Sequence, residues 1–140
     1  MLVNDLMTGK VLSVKADMDF SQVCETFFQM GFTHLPVTDD KQKLIGIISA
    51  QDALRAFHDT FFNAMPQTES VNDLIRIRDI MSTDLKFLHS DDTISRALIL
   101  FKEFNIHAIP VIENNELIGI LTSNDILNAL DDLQIEVTGI

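Results

Sequence analysis

The chain of 140 residues holds a single cysteine, Cys24. An internal disulfide is therefore excluded, and a lone thiol in an apolar helical stripe fits a buried free cysteine in a reducing compartment. Cations are scarce too: 10 Lys and Arg stand against 21 Asp and Glu, a formal net charge of −11. That field repels a phosphate backbone and no local basic stripe opposes it, so no nucleic-acid partner is expected. No apolar run reaches the roughly 18 residues that span a bilayer, and no charged start followed by an apolar stretch reads as a signal peptide. The expectation is a cytoplasmic protein with no membrane partner. Catalytic signatures are missing as well. There is no Ser-His-Asp order with an elbow glycine, no H-E-x-x-H, no C-x-x-C and no phosphate-binding G-x-x-x-x-G-K-[ST], and His58 and His89 lack metal-ligand spacing. Neither an enzyme nor a metal or cofactor site is expected.

What the chain does have is a core and a repeat. With 46% hydrophobic and 22% charged residues, it can bury most of a compact domain's apolar surface without staples. GIISAQD at 46–52 returns as GILTSND at 119–125. The offset that carries Asp5-Leu6-Met7-Thr8 onto Asp79-Ile80-Met81-Ser82 also carries Asp17 onto Asp91, Phe27 onto Phe101, and Leu35-Pro36-Val37 onto Ile109-Pro110-Val111. One residue is lost where Lys41-Gln42-Lys43 faces Asn115-Glu116, and length changes belong in turns. Two long repeats, unlike a solenoid's many short ones, point to a pseudo-twofold pair packed face to face.

Each half reads as β-α-β-β-α around a small mixed sheet. Val11–Val14 and Leu85–Leu88 are short apolar runs suited to strands. Phe20, Val23, Cys24, Phe27 and Phe28 form a helical stripe that Ile94, Ala97, Leu98 and Phe101 repeat. Asp19 and Thr93 are the expected N-caps, and Gly31 and Asn105 the expected stops. His34–Thr38 and Leu44–Ser49, then His107–Ile112 and Leu117–Thr122, read as hairpins, although their turns do not meet the two-residue hairpin rule. A second helix follows each hairpin, from Ala50 to about Met65 and from Ser123 to about Leu133. Pro66–Ser70 is a polar break, and Val71–Asp79 turns helical again. The expected organisation is a first repeat over 1–65, a linker over 66–75, a second repeat over 76–133 and a tail over 134–140.

The quoted heptads place chemistry where a strand runs into a helix. Ser49 and Thr122 are positioned to cap, and Asp52 and Asp125, three residues on, complete a capping-box pattern in the first turn. The same group suits a ligand: a helix start beside a hydroxyl favours a phosphate, and the carboxylate can accept both hydrogens of a sugar cis-diol. Both readings stay open from the residues alone. Gly46 and Gly119 allow close approach of backbone or ligand, or mark a bulge.

The order D-[LI]-M-[TS], strand, amphipathic helix, h-x-h-P-V, hairpin, L-I-G-I-h-[ST]-x-x-D-h-L resembles the CBS domain, here in tandem as the pair called a Bateman module. The likeness covers about residues 1–133. It implies an α/β (α+β) fold of two repeats joined through their sheets, with up to two clefts that bind AMP, ADP, ATP or S-adenosylmethionine. It also implies a homodimer that reports ligand status to a protein partner. By resemblance the heptad Asp holds the ribose, and the adenine lies against the start of the first strand and the backbone before the h-x-h-P proline. The preferred cleft then takes Thr8, Gly9, Lys10, Phe32, Thr33, His34, Thr122, Asn124 and Asp125. The second takes Thr83, Asp84, Ile106, His107, Ala108, Ser49, Gln51 and Asp52. Pro36 and Pro110 hold Leu35 and Ile109 extended. His34 and His107 either add positive charge near a phosphate or are simply packed. Lys10 against Asp84 makes the clefts unequal, with an anionic ligand preferring the first. Arg55 either counters Asp52 or only solvates. Phe57, Phe61, Phe62 and Met65 are core, or a patch covered on dimerisation. The leading expectation is an adenosine-ligand sensor; the alternative is a ligand-free scaffold whose heptads serve only as caps.

Overall fold

A computed structural model of the chain describes residues 1–62 and 70–132. The last turn expected up to Met65, most of the Pro66–Ser70 break and the tail over 134–140 lie outside the described residues. The chain divides into two compact units, one of Leu12–Leu85 and one of Met1–Val11 with Lys86–Ile140. The fold is mixed α and β, with a small sheet and helices in each unit.

In the Leu12–Leu85 unit, β1 (Val14–Lys15) runs parallel to β2 (His34–Thr38), which pairs antiparallel with β3 (Leu44–Ser49). This is the expected mixed sheet. The first strand is shorter than the Val11–Val14 run, because only Val14 and Lys15 find partners, Val37 and Thr38. Between β1 and β2 lies α2 (Phe20–Met30), which buries Phe20, Val23 and Phe27. Phe28 departs from the expected stripe and is 90% exposed. The sheet is covered by residues at i, i+3 and i+7, and the neighbour of Phe27 is turned about 100° away. Gly31 ends the helix at φ 67°, its N–H donating to the Phe27 carbonyl at 3.0 Å. Beyond α3 (Ala50–Phe62), two short helices, α4 (Val71–Leu74) and α5 (Ile77–Ile80), return to this unit. Ile75 and Ile77 enter its core beside Leu35, Val37 and Ile48.

The second unit repeats the plan with α6 (Ile94–Phe104), β4 (Ala108–Glu113), β5 (Glu116–Thr122) and α7 (Ser123–Asp132). Its Leu85–Leu88 strand reduces to one residue. Leu88 donates to the Pro110 carbonyl at 3.0 Å and accepts from the Ile112 N–H at 2.8 Å, a single parallel bridge beside Val111. Ile94 and Ala97 are buried whereas Leu98 is exposed, the same narrowing of the stripe seen at Phe28. Thr93 Oγ1 accepts from the Arg96 N–H, and Asn105 ends the helix at φ 50°. The turn corrects the sequence reading: Glu113 pairs with Glu116 across Asn114 and Asn115, both with positive φ, so this hairpin does have a two-residue loop. Asparagine tolerates the left-handed conformation at both positions, as such a turn requires.

The units do not follow the sequence repeats at their edges. The leading segment of the first repeat, with α1 (Val3–Leu6), joins the unit of the second; Val3 is fully buried among Leu88, Ile109 and Leu121. The leading segment of the second repeat, through Met81 and Ser82, joins the unit of the first.

Ser90 ties one hairpin end to the start of α6, its N–H and hydroxyl donating to Glu113 Oε1 at 3.0 and 2.6 Å. The Ser90 hydroxyl, then its N–H, holds the Glu113 carboxyl below its ordinary value of 4.5. A depressed carboxyl stabilises the fold above the unfolded value, and that contribution disappears as pH falls through the folded one. Replacing Glu113 with Gln is therefore expected to lower Tm near neutrality, where the contribution is fully present, and to converge on the wild type as pH falls below 4.5, flattening the acid limb of a Tm-against-pH curve.

Candidate functional site

Both heptads fold into the same device. In the Leu12–Leu85 unit the Ser49 N–H donates to Asp52 Oδ2 at 3.0 Å, and the Asp52 N–H donates to Ser49 Oγ at 2.9 Å. In the other, the Thr122 N–H donates to Asp125 Oδ2 at 2.8 Å, and the Asp125 N–H donates to Thr122 Oγ1 at 3.1 Å. These are reciprocal capping boxes, which satisfy two backbone donors at each helix start. The capping reading is thus realised twice. Each carboxylate uses one oxygen on its own main chain, leaving Oδ1 and a second lone pair on Oδ2 as acceptors. Both acids are half-buried at the start of a helix, where the dipole favours their negative charge.

A second element comes alongside each box. Thr8 pairs with Ile120, its N–H donating to the Ile120 carbonyl at 2.9 Å and its carbonyl accepting from the Ile120 N–H at 3.1 Å. That brings exposed Thr8, Gly9 and Lys10 into the unit of Thr122, Asn124 and Asp125. Ser82 pairs with Ile47 in the same way, at 2.8 and 3.0 Å, and brings Thr83 and Asp84 into the unit of Ser49, Gln51 and Asp52. Phe32, Thr33 and His34 belong to this latter unit, and Ile106, His107 and Ala108 to the former.

The backbone before each proline is already engaged. The Thr33 carbonyl accepts from the Ala50 N–H at 2.9 Å, and the His107 carbonyl from the Ser123 N–H at 3.0 Å. Each retains one lone pair for a further donor. Thr33 Oγ1 lies 3.0 Å from His34 Nδ1, so His34 is half-buried and hydrogen-bonded, whereas His107 is exposed. His89 Nδ1 lies 3.0 Å from the Ile112 carbonyl, and His58 stacks on Phe62. Arg55 is exposed. Cys24 is half-buried, and burial pushes its thiol above the usual range. It lines an apolar groove of about 390 Å³ between α2 and α3, with Phe20, Phe27, Phe28, Phe32 and Leu54. Among the described residues no group of three His, Cys, Asp or Glu could hold a metal ion, and no helix is long and apolar enough to cross a membrane.

The glycines of the heptads serve a neighbour that sequence reasoning left without a role. A Cβ on Gly119 would lie 2.6 Å from Met7 Sδ, and one on Gly46 would lie 2.6 Å from Met81 Sδ. Their close approach is to the methionines and backbone of the D-[LI]-M-[TS] motif. The paired recurrence of that motif with its glycine was the signal available in the sequence.

The two capping-box units, each with a paired leading segment, match one family. The CBS domain model matches twice, over residues 3–59 and 77–132. The chain belongs to the CBS domain family. A homoserine O-acetyltransferase of Methanosphaera stadtmanae is 28% identical over 127 residues, which cover 90% of this chain and 23% of that protein. This CBS pair thus spans under a quarter of the relative's length. Among solved structures, the CBS domain pair of protein MJ0100 in complex with 5′-methylthioadenosine and S-adenosyl-L-methionine superposes with a TM-score of 0.81 at 22% identity, covering 96% of this chain and 98% of that one. CBSX2 in complex with AMP gives 0.79 at 24% identity, covering 94% and 97%. These likenesses establish the shared fold.

Because the boxes are structural whatever else they do, Asp52→Ala and Asp125→Ala are each expected to lower the unfolding free energy by about 1 kcal/mol. Urea denaturation without ligand measures it.

Proposed function

We propose that this CBS pair binds an adenosine-containing ligand, AMP, ADP, ATP or S-adenosylmethionine, and signals its presence to a protein partner by a change of conformation. The observation that carries the reading is the assembly of Thr8–Lys10 with the Thr122–Asp125 helix start. A carboxylate with acceptors to spare, a capping hydroxyl and the Lys10 ammonium belong to segments that the Thr8–Ile120 pair brings together. These groups suit a sugar diol and a phosphate. The adenosine compounds bound by the MJ0100 and CBSX2 pairs support the ligand class.

The two halves differ in charge. Lys10 favours a phosphate beside Asp125, whereas Asp84 disfavours one beside Asp52, so the Asp125 half takes the more anionic ligand and the Asp52 half a less charged adenosyl compound. The chain acts as a homodimer in this proposal. Phe57 and Phe61, at 40% and 42% exposure, and Phe62, at 77%, form an apolar face that association would cover. No catalytic step is proposed.

The second reading, a ligand-free scaffold, is favoured by the capping boxes, each of which accounts for its Ser or Thr and its Asp without a ligand. Thermal shift separates the two readings, since AMP at 100 times its Kd is expected to add roughly 2.7 kcal/mol. Asp125→Asn keeps an amide oxygen for the Thr122 N–H, and is expected to retain stability and lose most of that shift. Silence with AMP, ATP and S-adenosylmethionine alike leaves the scaffold. Asp84→Lys is expected to raise AMP affinity at the second half and Lys10→Asp to lower it at the first, in each case weakening as salt is added. Titration calorimetry at two ionic strengths reads both.

A further inference from the structure

Gly46 and Gly119 sit in the middle of β3 and β5, where glycine weakens a strand. Neither has positive φ, the conformation that would call for glycine on backbone grounds. The remaining reason is space. At residue 119 a Cβ would meet Met7 Sδ at 2.6 Å and the Thr8 carbonyl oxygen at 3.1 Å. At residue 46 it would meet Met81 Sδ at 2.6 Å and the Ser82 carbonyl oxygen at 3.1 Å. The same fit occurs in both units.

The carbonyls involved are those that pair the leading segment with the strand. The Thr8 oxygen accepts from the Ile120 N–H, and the Ser82 oxygen from the Ile47 N–H. A methyl group at residue 119 would press on both the thioether and this acceptor. The thioether can swing aside, being a flexible side chain, but the carbonyl can yield only by lengthening its hydrogen bond.

We propose that Met7 and Gly119 are positioning residues: the thioether seated on the bare strand, together with the Thr8–Ile120 pair, holds Thr8–Lys10 beside the Thr122–Asp125 helix start and so sets that half-site's affinity for an adenosine phosphate. Met81 and Gly46 do the same for Thr83 and Asp84. The proposal rests on the ligand reading above. It adds that residues touching no ligand fix where the ligand-facing segment lies, a placement on which affinity depends steeply.

The test compares wild type, Gly119→Ala, Met7→Ala and the double variant in the full chain. AMP and S-adenosylmethionine affinity is read by calorimetry well below Tm, and exchange of the Ile120 amide is read by NMR. Gly119→Ala and Met7→Ala are each expected to weaken AMP about tenfold and to speed Ile120 exchange, and the double variant to lose little more than either alone, a non-additivity expected only of residues in contact. A merely structural glycine would lower Tm and leave the affinity of the folded protein unchanged, and that result overturns the proposal. So does Ile120 exchange unaltered by Gly119→Ala, whatever the ligand data. A wild type without affinity for either compound, but with the exchange pattern as expected, sinks the ligand reading and with it the positioning role, while the seat itself stands.

Discussion

The arrangement depends on a pair of short backbone pairings, Thr8 with Ile120 and Ser82 with Ile47. Each gives a leading segment to the last strand of the other sequence repeat, and each needs a strand residue with no side chain beneath it. Without them, the D-[LI]-M-[TS] segments would be loose connections, and their exposed residues would stand apart from the helix starts. Apolar burial works in the same direction. Val3 seats one leading segment in its core, and Ile75 and Ile77 seat the other, all nearly free of solvent. Burying such side chains contributes on the order of 1.5–3 kcal/mol each before the ordering cost of the chain.

Given that placement, the capping role of each box does not compete with the ligand role proposed for it. A carboxylate can satisfy a helix-start N–H through one oxygen and still present acceptors to a ligand, because its lone pairs outnumber the local donors. The hydrogen bond from Thr122 or Ser49 also fixes the acid's orientation in advance, which reduces what binding must order. The prior structural engagement of Asp52 and Asp125 is therefore compatible with a ligand site and removes freedom from it. The carbonyls of Thr33 and His107 follow the same rule, each accepting one local N–H with capacity for another donor.

Much of this was legible from residues alone. The duplication, the helix stops at Gly31 and Asn105, the caps at Thr93, Ser49 and Thr122, and the mixed sheet all follow from local chemistry: left-handed φ, hydroxyl capping and apolar period. Where reading by pattern went astray, the pattern was too generous. Phe28 and Leu98 fall within a helical stripe by spacing, but the sheet behind them is too narrow to cover a face that wide. Asn114-Asn115 lacked the glycine that marks a two-residue turn, yet two asparagines adopt the same backbone. The glycines were seen as places of close approach without the partner being named.

The sequence by itself determined what nearest neighbours along the chain can settle: which segments are helix or strand, where helices begin and end, and that the whole is written twice. Only the tertiary structure decided which unit each leading segment joins, because Val3, Ile75 and Ile77 are apolar in any context and hydrophobic burial carries no address. The address comes from fit. A thioether and a carbonyl meet a strand lacking one Cβ, across a separation in sequence that no local rule spans.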